Sequence, residues 1–358
     1  MPGWNFGRNC PFKKVAGKLQ GVWNAQNMRT VAANQIKEAV GKKLKTPGVT
    51  RWNSYYDACV MMLEVLEDPD RREKLNVVMR SQNLPVLYDA DKALLAQYCK
   101  IMKPVATCLD ILQGEDKAYM GILLPTLKLM KDQVEALRMD YSIVEGQELI
   151  NYLLEHPTKG DKSFKGRFQP LFEKEDLLKA TALHPHFKLG VVGYLNAEKK
   201  DDIKKAIVTE ALKKVTPAEE IGGGDTQQDV EDDPFRYMME EEAVATESPL
   251  DEDMKKTLDE WNKIRCNRNS CINPDQFPLL HRAAWVDLFI KYNTPLPSSA
   301  AVERLFSIGS DILRAKRSSL TADNFEKLVF IKGNLQLLDE KSISAQLDMQ
   351  DEEEEEDE

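Results

Sequence analysis

Two apolar stripes in the first half of the chain limit its fold more than any other feature. Leu94, Leu95, Tyr98, Ile101, Met102, Val105, Cys108, Leu109 and Leu112 recur at intervals of three and four residues, one face of a single long helix. Pro104 inside that stripe predicts a kink, and Gly114 a stop. Leu123, Leu127, Met130, Val134 and Leu137 repeat the pattern after a short gap, with Pro125 near the start. Two such stripes joined by a short loop predict an antiparallel helical pair. Runs of strict alternation are scarce, so the expected fold is mostly α.

The flanking sequence extends the same pattern. Val15 to Leu44 reads as helical and basic, ending near Pro47-Gly48. From about Arg51, Trp52, Tyr55, Tyr56, Cys59, Met62, Leu63 and Leu66 fall on one helical face. A turn at Asp68-Pro69 precedes a shorter helix to about Arg80, and Leu84-Pro85-Val86-Leu87 reads as an extended link. Further helices are expected near Glu145–Leu154, Leu171–Ala182 and Ala197–Lys214; order resumes at Met254–Trp261, and Asp275–Tyr292 leads into the segment that starts at Pro297. The resulting division is a frayed start (1–16), a helical domain (17–215), an acidic linker (216–250), a C-terminal region (251–340) and an acidic disordered tail (341–358).

Charge is strongly polarised. The formal charge of −10 becomes −2 without the last eight residues, all of them acidic. The first 51 residues carry ten Lys and Arg against Glu38 alone, whereas residues 217–260 carry sixteen acidic side chains against three basic ones. A basic head can contact phosphates without reading sequence, and it can equally be one solvated helix face. Six irregularly spaced cysteines suit a reducing compartment, and no run is apolar enough for a signal peptide or a membrane span. Cys266 and Cys271 lack the further ligands a structural zinc needs, and His184-Pro185-His186 reads as a packing turn. No phosphate loop, nucleophile elbow or carboxylate pair at enzyme spacing is visible, so neither a cofactor, a bound metal nor a small-molecule substrate is expected.

Near the end lies Pro297-Ser298-Ser299-Ala300-Ala301-Val302-Glu303-Arg304-Leu305-Phe306-Ser307, followed by Arg314-Ala315-Lys316-Arg317-Ser318-Ser319-Leu320. Pro and Ser stop one segment and offer caps to the next. Apolar residues then recur at helical spacing, and a second helix carries Phe325, Leu328, Val329, Ile331 and Leu335. Two short apolar helices bury little by themselves, so this end must pack on something larger.

This stretch resembles the C-terminal dimerisation region of hAT-type DNA transposases. Thr50-Arg51-Trp52-Asn53-Ser54 is similar to a second motif of that family in the expected order, and Leu183–Lys188 to a third segment. The resemblance covers residues 17 to 340. It implies a helical insertion-type domain and a C-terminal remnant of an RNase H-like fold. It implies homodimerisation through Leu305, Phe306, Ile312, Leu313, Phe325, Leu328, Val329 and Ile331, and a nuclear location, cytoplasmic otherwise. It places Glu303 at the last position of a D-D-E set that holds two cations. The two aspartates lie upstream of the Trp motif in that family, and residues 1–51 contain none. Glu303 is therefore expected to be vestigial and the chain non-catalytic. Two other readings remain: a sequence-nonspecific DNA-binding module using Lys42, Lys43, Lys45, Arg51, Trp52, Arg314, Lys316 and Arg317, or a fragment of an active metal-dependent transposase. Trp52 can serve either as a core residue or as a surface on which a base stacks.

Overall fold

A computed structural model of the chain describes residues 12–48, 52–114, 118–155, 163–215, 249–266, 270–313 and 320–335. The helices are α1 (Phe12–Met28), α2 (Thr30–Val40), α3 (Trp52–Glu67), α4 (Pro69–Ser81), α5 (Asp89–Leu112), α6 (Leu123–Ala136), α7 (Gln147–Leu154) and α8 (Phe164–Arg167). They continue with α9 (Glu175–Leu183), α10 (Lys188–Leu195), α11 (Lys200–Val215), α12 (Pro249–Lys263), α13 (Arg282–Asn293), α14 (Ala300–Ile312) and α15 (Ala322–Gly333). The protein is mostly helical, and no strand occurs among the described residues. No described helix is long and apolar enough to cross a membrane. The chain divides into two compact units, Met1–Pro297 and Ser298–Glu358.

The first unit has two cores, and the two stripes run through both. Leu95, Ile101 and Met102 of α5 and Val134 of α6 join one core with α1 to α4 and α7. Cys108 and Leu112 at the other end of α5, with Leu124 and Leu127 of α6, join the second core. The start of one helix thus pairs with the end of the other, as an antiparallel pair must. α5 continues through Pro104. Aromatic rings fill the first core: Trp23 meets Tyr55 edge-on at 5.5 Å, and Tyr98 lies 5.9 Å from Phe12.

Several boundaries differ from the sequence reading. Helix α1 begins at Phe12, inside the segment expected to be frayed, because Phe12 and Val15 are buried. The basic helix expected over 15–44 is two helices that break at Arg29, whose backbone is extended and whose side chain donates to Gln82 Oε1 at 3.0 Å. α2 ends at Gly41, where φ is +83° and the N–H caps Lys37 O, a conformation that favours glycine. The stretch 251–293, grouped by sequence with the C-terminal region, packs instead in the first unit. Met254, Leu258 and Trp261 of α12 and Trp285, Leu288 and Phe289 of α13 share the second core with α9 and α11. α12 starts at Pro249, within the expected linker, whereas residues 216–248 and the expected tail lie outside the described residues.

The extended links among the described residues pair with no strand, so they need other hydrogen-bond partners, and buried amide side chains supply them. Gln26 brackets Leu44, donating to its carbonyl at 2.9 Å and accepting from its N–H at 3.0 Å. Asn76 does the same for Leu87, at 2.9 and 3.0 Å. Asn293, at the end of α13, accepts from Gly121 N–H at 2.8 Å and donates to Ala180 O at 3.1 Å. One side chain thereby ties α13 to α9 and to the turn that starts α6.

Candidate association surface

The second unit is built around α14 and α15. Ser299 leads into α14, and its hydroxyl and carbonyl both meet Glu303: Ser299 Oγ donates to Glu303 Oε1 at 2.8 Å, and Glu303 N–H donates to Ser299 O at 2.9 Å. A carboxylate in the first turn also faces the positive end of the helix dipole. Glu303 thus has a local structural role. Thr321 begins α15, its hydroxyl accepting from Asn324 N–H at 3.4 Å.

Glycines set how the two helices meet. A Cβ on Gly309 would lie 3.3 Å from the Phe325 ring and 3.8 Å from Val329. A Cβ on Gly333 would lie 3.2 Å from Leu305. These contacts fix the inner faces, with Phe325 and Val329 half-buried and Ile312 buried. Among the described residues of this unit, only Ala300, Gly309 and Ile312 are buried.

Apart from half-buried Ile308 and Leu320, the remaining large apolar side chains among the described residues of this unit face water. Phe306 is 70% exposed, Leu313 55% and Val302 48%. Their spacing places them along one side of α14 and its C-terminal extension. On α15 and just past its end, Leu328, Ile331 and Leu335 form a second exposed stripe at intervals of three and four. Leu305 is exposed beside Gly333. Of the eight residues expected to associate, five are therefore exposed, and Ile312, Phe325 and Val329 turn inward. Sequence reasoning omitted Val302, Leu335 and the exposed Phe330 from this surface; for the first two, periodicity with Phe306 and Leu328 was the available signal.

The residues expected to meet DNA are not brought together as a described site. Lys42, Lys43 and Lys45 are exposed on the link after α2. Lys42 Nζ is paired with Glu64 at 3.0 Å, and Lys18 of the basic head with Asp91 at 2.6 Å. Trp52 opens α3. Arg51, Arg314, Lys316 and Arg317 lie outside the described residues. No family model matches the chain, and no curated protein was found to be similar to it.

Proposed function

We propose that this chain is a non-catalytic, hAT-transposase-like protein that associates with a second copy of itself through α14 and α15. The observation that carries the reading is the double apolar stripe around Phe306 and Leu328, exposed on a helical pair that buries three residues of its own. Helices of twelve and thirteen residues are marginal in water without tertiary packing, so such a surface is stabilised by being covered. A second copy supplies a matching surface automatically, because a two-fold interface joins the same patch on both chains. The motif that resembles the hAT dimerisation region occupies this same helical pair. On this reading α1 to α11 correspond to an insertion-type domain, and the C-terminal unit to the remaining edge of an RNase H-like fold.

Catalysis has less to support it. One carboxylate cannot hold the two cations of a D-D-E site, and Glu303 is engaged with Ser299. Sequence-nonspecific DNA contact is also less favoured, since part of the basic head is spent on Glu64 and Asp91. The test is solution mass by light scattering on a sizing column, for the full chain and for a chain ending at residue 296. A full-length dimer that becomes monomeric on truncation is the expected result. A full-length monomer, or a dimer that survives truncation, refutes the proposal.

A further inference from the structure

Beyond the association surface, the first unit contains a cavity of about 840 Å³ between the end of α5, α6, the turn after α9, α10 and residues 270–272. That volume falls within the range of small-molecule sites, roughly 300 to 1,000 Å³. Its walls are chiefly apolar and aromatic, with Tyr119, Ile122, Phe187 and Leu195 among them. Three wall residues remain in water although they are large and apolar: Ile111 is 40% exposed, Leu129 47% and Tyr194 65%. Apolar surface lining a concave site is stabilised by an apolar occupant.

The polar groups of the wall are arranged to cancel. Lys128 Nζ donates to Asp132 Oδ1 at 2.5 Å, and Tyr194 OH donates to Asp132 Oδ2 at 2.7 Å. The Lys128 ammonium also lies over the Tyr194 ring, 4.7 Å from its centre. His184 is buried, and its Nδ1 accepts from the His186 N–H at 3.2 Å, which assigns the ring proton of the neutral form to Nε2. Burial, then the neighbouring His186, push the pKa of His184 down to about 3, so the imidazole is uncharged at neutral pH. Asp110, also in the wall, accepts from Asn53. The walls therefore offer aromatic faces, a neutral imidazole and a Lys128 already paired with Asp132, so an anion entering them would leave water without a counter-charge.

We propose that this cavity binds a small, uncharged aromatic molecule. The ring system takes the aromatic faces of the wall, which include Tyr119, Phe187 and Tyr194, and the imidazole of His184 among them takes a hydrogen-bonding group. The proposal is independent of association through α14 and α15. No linear motif announces such a site, because its wall residues come from five segments spread over more than 150 positions.

The test uses the full chain and the neutral fluorophore N-phenyl-1-naphthylamine, whose emission rises on transfer from water to an apolar site. Saturable binding with one site per chain is expected. Leu129→Glu, at a half-exposed position that tolerates a polar side chain, should weaken it at least tenfold, and Phe306→Asp should leave it unchanged. A naphthalene sulfonate should bind at least tenfold more weakly than the neutral probe. Far-UV circular dichroism and Tm establish that the variant is folded, and Ile111→Glu takes its place if it is not. Absence of saturable binding, indifference to both cavity substitutions, loss of binding in Phe306→Asp, or equal affinity for the sulfonate overturns the proposal.

Discussion

Phe306→Asp separates a surface that serves association from one that merely completes the fold. The side chain is 70% exposed, so its replacement should leave the helices of a single chain nearly as stable as before. A phenylalanine side chain offers roughly 200 Å², of which about 140 Å² is therefore available to a partner. If association covers half of that, each copy contributes about 1.8 kcal/mol at ~25 cal/mol per Å². A two-fold interface contains the residue twice, giving about 3.5 kcal/mol, or about 400-fold in Kd. Desolvating the new carboxylates adds to this cost. The assay is light scattering across a concentration series, with far-UV circular dichroism and urea unfolding of the same samples. The expected outcome is a monomer of unchanged helicity and nearly unchanged stability. A dimer of wild-type affinity refutes the association surface, and a folded-state loss of more than ~2 kcal/mol places Phe306 in the chain's own core instead.

Other positions test how the first unit is held. In Gly121→Ala the new Cβ would stand 2.5 Å from Ala180 O and 2.7 Å from Asn293 Oδ1, so urea unfolding should show a loss of about 3 kcal/mol. Asn293→Ala leaves the Gly121 N–H and the Ala180 carbonyl buried without that partner and should cost about 2–5 kcal/mol in the same assay. Lys188 Nζ donates to Trp261 O at 2.8 Å and Ile264 O at 2.7 Å, closing the end of α12, so Lys188→Met should cost about 2 kcal/mol and speed amide exchange there. Burial alone would raise the pKa of Glu210, but hydrogen bonds from Lys179, Lys291 and Tyr292 outweigh it and hold the carboxyl at about 2 instead of 4.5. The stability this confers is present above pH 4.5 and fades as pH falls toward 2, and Glu210→Gln should flatten that part of the stability–pH profile.

What the sequence made legible was whatever repeats at helical spacing over several turns. α3, α5 and α6 were read correctly because each presents a continuous apolar face to a core. α10, Lys188–Leu195, was missed because it is apolar on nearly every side and holds two glycines, leaving no polar face to mark the period. The break at Arg29 had no proline or glycine to announce it, and Gly41, which caps α2, was passed over in a helix read on to Leu44. The placement of α12 and α13 was illegible for another reason. Their partners α9 and α11 precede residues 216–248, and a pairing across that gap leaves no trace in local pattern. The buried amides were equally silent, since Gln26, Asn76 and Asn293 read as surface residues until a link runs beside them.

The C-terminal unit shows where periodicity stops being informative. Helical spacing identifies the apolar residues of α14 and α15, but a stripe turned to its own neighbour and a stripe turned outward have the same period. Gly309 resolves the difference. In sequence it is a weak point in an apolar helix; in the fold, its missing Cβ lets the Phe325 ring approach, with Val329 alongside. That close approach turns Gly309, Phe325 and Val329 to the inner face. Val302, Phe306 and Leu313 are thereby released from internal packing, on a face of α14 whose apolar character the inner contacts do not require. Gly309→Leu should therefore separate the two helices and weaken association indirectly, with loss of helicity in the same variant. Phe306→Asp should weaken association alone. Identical behaviour of the two variants in both assays would mean that the outward stripe has no role distinct from the inner one.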